Sequence, residues 1–429
     1  MGMISEQADK LRSQWATDAR WAGIERTYSA EDVIRLRGPV VEEQTLARLG
    51  ATRLWEQLHS EDTIRAHGAS SPAHAVQLAG TGLQALHLPG WHASAGGHLA
   101  PHTYADHHSP HPAHPAPALV RQMNKALLRA GQVAWSEQSA EGTGRGGIAP
   151  VVADAEAGSG GALNAFELTT ALIEAGAAGI QFEDRLSPDR NGRHPGGKVL
   201  IPTGQHIKTL NAARLAADVL DVPTIIIART AASDATLLSS DVDERDREFL
   251  TGKRTEEGFH HVQPSLYASV TRGLAFAPYA DLLWLEASTP NLAEARAFAQ
   301  IIHSQYPDKM LAYSCSPDCD WYEHLDDEGI AKFQKELGEM GYCFQFIAQK
   351  KGSGMINHDI PSYVPTQDSA PLGYDADRHH IETGARYFNL VNQALAPKAE
   401  PAILAEHLEA EHFVSHDLTD HHGRLVPAD

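Results

Sequence analysis

The chain has 429 residues, of which 42% are hydrophobic, enough to bury a large core. Its formal net charge of −20 repels phosphate backbones and argues against nucleic acid as a partner. Cys315, Cys319 and Cys343 are its only cysteines, too few and too odd in number for a disulfide framework, so a reducing, cytoplasmic setting is expected.

Residues 1–60 read as a helical segment, with Leu46, Leu49, Leu54 and Leu58 at mostly helical spacing. The polar N-terminus has no apolar core that would make it a secretory signal. No stretch approaches the roughly 18 continuous apolar residues that a membrane span requires. From residue 61 to about 350 a unit recurs in which a short apolar run, a polar turn and an Ala/Leu-rich helical stretch follow one another. The runs are 83–88, 148–154, 178–184, 222–230, 281–286, 309–316 and 343–348. Strands alternating with helices indicate parallel β/α architecture, and this many of them predict a (β/α)8 barrel of the TIM type. No Gly-x-Gly-x-x-Gly turn follows the first run, which argues against a doubly wound sheet.

The runs end in charge or hydroxyl: Asp154, Glu183–Asp184, Arg229, Glu286 and Ser314–Ser316. In a parallel barrel all strand C-termini meet at one rim, so carboxylates and an arginine from distant positions converge there. Helix capping after a strand explains any one such residue but explains poorly why so many runs end this way. Residues 92–117 hold seven histidines and five prolines and read as a long loop. A second metal site there is the sharper reading and a decorated surface loop the plainer one. Cys315-x₃-Cys319, without a second pair, is a weak zinc signal. Residues 185–198 and the charged stretch 240–262 read as inserts over the barrel mouth. Residues 351–429 read as a C-terminal helical segment.

Particular segments carry a family likeness: YSAEDVIRLRG (28–38), HTYAD (102–106), VADAEAGSGGALNAFEL (152–168), GGKVLIPTGQHIKTLNAARLAADV (196–219), SDVDERD (240–246) and LAYSCSP (311–317). On these the chain resembles the isocitrate lyase family, within the superfamily shared with phosphoenolpyruvate mutase, over nearly its whole length. The resemblance implies a homotetrameric barrel with C-terminal helices exchanged between subunits. It also implies Mg²⁺, with Mn²⁺ as a possible substitute, and reversible cleavage of a 2-hydroxy acid to glyoxylate and a dicarboxylate. Asp106, Asp154, Glu156 and Glu183 match the family's magnesium-binding carboxylates, some acting through waters, as suits a hard cation. Arg229 matches its carboxylate-binding arginine, Gly90 and Trp91 its contacts to the same fragment, and Glu286 also matches.

The catalytic loop departs from the family. Where the family carries Lys-Lys-Cys-Gly-His, this chain reads Arg190-Asn191-Gly192-Arg193-His194, so the proton-donating cysteine falls on Gly192. The pocket changes as well, with the family's Tyr-Leu-Ser-Gly-Trp becoming His87-Leu88-Pro89-Gly90-Trp91. Its Asn-Cys-Ser-Pro-Ser becomes Ser314-Cys315-Ser316-Pro317-Asp318, and a threonine falls on Ala348. Asp318 would repel a carboxylate leaving group. His194 or His87 is expected to be the replacement acid/base, by virtue of a near-neutral pKa, with Arg193 stabilising developing negative charge. The expectation is an Mg²⁺-dependent carbon–carbon lyase with a leaving group other than succinate. Oxaloacetate-hydrolase or phosphonate-type chemistry at the same metal, or a non-catalytic relative, stand as alternatives.

Overall fold

Eight parallel strands close into a barrel, with helices outside it. The computed structural model describes residues 3–60, 63–69, 71–80, 82–90, 115–136, 149–158, 160–186, 198–315 and 321–346. The C-terminal segment from 351, and all of the His-rich stretch but its last residues, lie outside these. The barrel strands are β1 (Ile64–Gly68), β2 (Ala85–Leu88), β3 (Val151–Asp154), β4 (Gly179–Glu183), β6 (Ile225–Thr230), β10 (Leu282–Ala287), β11 (Met310–Cys315) and β12 (Tyr342–Phe346). They run in the order β1-β12-β11-β10-β6-β4-β3-β2.

Seven of these strands coincide with the apolar runs read from the sequence, β10 and β12 each overrunning its run by one residue. The strand missing from that reading is β1, whose sequence Ile-Arg-Ala-His-Gly interrupts the apolar signal. Its alternation explains its place, because Ile64 and Ala66 point into the barrel core with Val152, Ile225, Ile227, Leu282, Trp284 and Phe344.

The N-terminal residues are helical as expected, with α1 (Met3–Thr17), α2 (Ala30–Arg37) and α3 (Thr45–Leu58). Helix α3 closes the N-terminal end of the barrel, its Leu54 and Leu58 joining the interior cluster. Full burial of a leucine such as Leu54 contributes about 1.5–3 kcal/mol. Gly50 and Gly179 permit this approach, since a Cβ on either would stand 3.1 Å from Ala178 or 3.2 Å from Leu54. The arm before α3 is held by alternating rings and guanidiniums. Arg20 lies 4.1 Å from the Trp55 ring and 4.6 Å from Trp21, while Arg26 lies 4.8 Å from Trp21 and 4.1 Å from Trp15.

A second, four-stranded sheet in the order β5-β7-β9-β8 rises from the loops at the C-terminal rim. Its members are β5 (Val199–Leu200), β7 (Leu237–Leu238), β8 (Leu250–Arg254) and β9 (His260–Val262). The charged stretch 240–262 is thus an ordered excursion: a short 3-10 helix, Glu244–Phe249, leading into the β8–β9 hairpin. Its acids cap the helix α7 (Thr203–Val219), whose preceding Pro202 has no side chain for the task. Asp246 accepts from the Thr203 amide at 2.8 Å and Asp243 from the Gly204 amide at 2.7 Å. The SDVDERD motif therefore has a structural reason: it fixes the first turn of α7. Among the described residues, no helix is long and apolar enough to cross a membrane.

Candidate active site

The site assembles where β3, β4, β6 and β10 end. Strand register brings Glu183 beside Arg229 and Arg229 beside Trp284, and sets Glu286 beside Ser314. Arg229 occupies the centre. Its Nη2 lies 2.7 Å from Glu286 Oε1 and its Nε donates to Oε2 at 3.2 Å. It stands 3.9 Å from Asp154 Oδ2 through Nη1 and 3.9 Å from Glu183 Oε1 through Nε. Three carboxylates from three strands thus surround one guanidinium, the convergence the strand endings implied. Arg229's fork is engaged by Glu286, so the bidentate clamp expected for substrate is made within the protein, and Nη1 is the edge left toward Asp154.

Asp154 is fixed by backbone donors, the amides of Glu156 at 2.7 Å and Gly90 at 3.3 Å. Closing that turn puts Glu156 at φ +51°, a left-handed conformation that costs a side-chain-bearing residue about 1–3 kcal/mol. The Glu156 carboxylate lies over Gly90 and within electrostatic reach of Asp154, Glu183, Arg185 and Arg229. Glu156 packs close over Gly90: a Cβ there would overlap Glu156 Oε1 and sit 2.9 Å from its Cδ, so a larger residue would displace the Glu156 side chain. Burial, and then the neighbouring Asp154, push the Glu156 carboxyl well above the usual range. Glu286 sits in the same desolvated setting, but Arg229 and Lys198 outweigh burial and hold it low.

Two cations that the sequence reading did not single out complete the cluster. Arg185 pairs with Glu183, Nε to Oε1 and Nη2 to Oε2 both at 2.6 Å. Lys198 binds Asp234 at 2.7 Å and reaches Glu286 at 3.9 Å. The signal for Arg185 was its place, directly after a strand ending in Glu-Asp. Asp184, grouped with Glu183 in the sequence reading, turns away. It accepts from Thr230 Oγ1 (2.8 Å), the Ala231 amide (3.0 Å) and Arg272 (3.0 Å), and is a structural acid.

His87 requires a correction. It lies wholly inside the barrel, its ring 5.3 Å from Trp284 and 4.7 Å from Phe346. Burial first, then Arg229, lower its pKa to about 3, so it is a neutral imidazole at pH 7 and not the near-neutral acid expected. Among the described residues neither ring nitrogen makes a hydrogen bond of regular geometry, though the Gln181 side chain lies close enough to raise the His87 pKa slightly against those lowering effects. Ser314 is buried and accepts from the Trp284 indole at 2.8 Å, so it orients that ring. His194, Arg193, Trp91, Ser316, Asp318 and Asp106 lie outside the described residues.

Asp154, Glu156 and Glu183 present only carboxylate oxygens, the donor set of a hard divalent cation. Among the described residues, no three His, Cys, Asp or Glu side chains are arranged to hold an ion directly. Arg185 and Arg229 supply positive charge in its place.

The isocitrate lyase family profile matches residues 8–255 and 250–359. The chain is 46% identical over 423 residues to an isocitrate lyase of Mycobacterium tuberculosis, covering 95% of this chain and 98% of the relative. It is 47% identical over 407 residues to that of Halalkalibacterium halodurans, covering 91% and 94%. For the isocitrate lyase of Escherichia coli the identity is 46% over 409 residues, covering 90% and 94%. A profile match along most of the sequence, and kinship this near from end to end, make the chain a member of the isocitrate lyase family.

Proposed function

We propose that this protein is an Mg²⁺-dependent carbon–carbon lyase that cleaves or forms a 2-hydroxy acid, with a glyoxylate-like fragment on one side and a partner other than succinate on the other. The observation that carries this is the gathering of Asp154, Glu183 and Glu286 around Arg229 at the barrel rim, with Glu156 within electrostatic reach. Family membership supports oxo-acid lyase chemistry. Asp154, Glu156 and Glu183, with Asp106, would hold the cation, directly or through waters. Bound there, it polarises the carbonyl and carboxylate oxygens of the glyoxylate-like fragment. Arg229, braced by Glu286, offers Nη1 to the α-carboxylate, and the Gly90 backbone lines the same wall.

Cleavage removes the proton of the 2-hydroxyl, breaks the adjacent C–C bond and leaves an electron pair on the departing carbon, which then takes a proton. His87, held neutral by burial and Arg229, is poorly suited to take up or give a proton at pH 7. The proton for the departing carbon comes in the family from a cysteine, and Gly192 cannot supply it. His194 is the group of suitable chemistry beside it, with Arg193 for the developing charge. Asp318 at the family's serine position disfavours a dicarboxylate leaving group and favours a neutral or amine-bearing one. The test is glyoxylate release with Mg²⁺ from isocitrate, methylisocitrate and 2-hydroxy acids with neutral or amino substituents. Release from the latter and not from isocitrate, lost in Asp154→Ala, is the expected result. Robust release from isocitrate would overturn the changed specificity.

A further inference from the structure

Arg185 and the metal proposed for this site have a claim on the same carboxylate. The guanidinium lies against both oxygens of Glu183: Nη2 donates to Oε2 at 2.6 Å, and Nε stands 2.6 Å from Oε1, which accepts no hydrogen bond among the described residues. Glu183 is 1% exposed, and its other cationic neighbour, Arg229, stands off at 3.9 Å. A divalent cation drawing on Glu183, directly or through a bound water, must approach a carboxylate whose Oε2 already accepts from Arg185 and whose Oε1 lies beside the same guanidinium. It must also lie within a few ångströms of a like charge that burial leaves poorly screened.

We infer that Arg185 is a built-in rival of the cation at Glu183, a positioning residue that weakens uptake of the metal by the empty site and leaves tight binding to the metal and an anionic substrate together. The inference rests on the metal site proposed above. Charge supports its second half. Asp154, Glu156, Glu183 and Glu286 face Arg185, Arg229 and Lys198, and Lys198 is shared with Asp234. A divalent ion adds two positive charges to these nearly matched groups, and a carboxylate substrate offsets part of that addition. The competing account makes Arg185 a brace that merely holds Glu183 ready, in which case removing it would loosen the metal.

The two accounts differ in sign, and Mn²⁺ binding to the full-length protein reads that sign without any turnover. Mn²⁺ would be titrated by electron paramagnetic resonance and calorimetry into wild type, Arg185→Gln and Arg185→Lys, each with and without glyoxylate. Thermal unfolding of the same samples would confirm that the variants fold. Arg185→Gln is expected to bind Mn²⁺ about tenfold or more tightly than wild type without glyoxylate, the scale set by removing one nearby like charge. Arg185→Lys, which keeps the charge and loses the fork, is expected to fall between. Glyoxylate is expected to tighten Mn²⁺ strongly in wild type and less in Arg185→Gln. Equal or weaker Mn²⁺ binding by both variants would overturn the rivalry. Glyoxylate without effect on wild type would overturn the joint binding. Absence of Mn²⁺ binding by all three proteins, with or without glyoxylate, would instead remove the metal site itself.

Discussion

The two ends of the barrel both bury charge, and they do so in opposite ways. At the N-terminal end a single carboxylate, Asp281, sits between two guanidiniums, Arg20 at 2.6 Å and Arg214 at 2.5 Å, and accepts from the Ile226 amide at 2.7 Å. Burial alone would raise the Asp281 carboxyl, but Arg20 and Arg214 drive it far below its ordinary value. Further guanidinium hydrogens go to the carbonyls of Pro223 and Thr224, while the Nε of each arginine makes no hydrogen bond among the described residues. At the C-terminal rim four carboxylates share three cations. Several of the contacts are 3.9 Å long, one acid is pushed toward its protonated form, and one residue sits at positive φ. The N-terminal cluster gives its one carboxylate two guanidiniums and holds the arm and α3 to the barrel. At the rim the compensation is looser, its charges shared among several partners and one carboxyl driven up by burial. Buried charge is thus a mark of function only where its compensation is shared or left open.

That contrast can be broken most directly at Asp154. Replacing it with alanine removes the acid to which both Gly90 and Glu156 are anchored. Activity is expected to fall by roughly 10³-fold or more, since a metal's electrostatic contribution amounts to several kcal/mol. Thermal stability should change little, and measuring both on one sample separates loss of function from loss of fold. A variant that lost its melting temperature along with its turnover would mean that the rim is as structural as the opposite end.

The mirror experiment is Asp281→Asn. It leaves Arg20 and Arg214 buried without their counter-ion, which typically costs about 3–5 kcal/mol. Denaturant unfolding should show that loss, while the Mn²⁺ affinity of the protein that remains folded should stay as in wild type. A shift in metal affinity would show that the two ends are coupled.

The barrel was legible in the sequence because buried parallel strands leave continuous apolar runs, and charge at their ends stands out against them. β1 was not, because Arg65 and His67 occupy the alternate positions of a strand with only Ile64 and Ala66 facing inward. The second sheet was hidden for a related reason: β5 and β7 have two residues each, too short for any periodicity. Asp154, Glu183, Arg229 and Glu286 could be found by their position alone. What position cannot say is which way a side chain turns. Asp184 follows Glu183 directly and faces the opposite side, because side chains alternate along a strand. The pKa of His87 depends on Trp284 and Phe346, nearly two hundred residues or more away in sequence, so a near-neutral value was the only expectation a sequence could support.

Gly90→Ala tests how tightly the rim is built. The added Cβ meets Glu156 in a turn already strained, and overpacking of this kind costs about 1–3 kcal/mol. Mn²⁺ affinity and turnover are expected to fall together, with stability nearly retained if Glu156 swings out of the way. Unchanged metal affinity would remove Glu156 from the set of ligands.

The smallest expected effect concerns the lid sheet, and its sign follows from Asp243. The Arg245 side chain, with amides from Arg245 and Gly204, holds this carboxyl at about 2, below its ordinary 3.8. In the unfolded chain it protonates first as pH falls, so the unfolded state binds more protons through this window. Stability from Asp243 is therefore fully present above about pH 4 and is lost as pH drops toward 2. Asp243→Asn should flatten that part of the stability profile and leave the neutral region nearly unchanged apart from a weakened cap on α7, about 1 kcal/mol. Because the same acid links the 240–262 excursion to the first turn of α7, hydrogen exchange at the Thr203 and Gly204 amides should quicken in the variant. Exchange at the Ile226 amide, held by Asp281 at the other end, should not move. If both ends loosened together, the division between a closed structural cluster and an open working rim would fail.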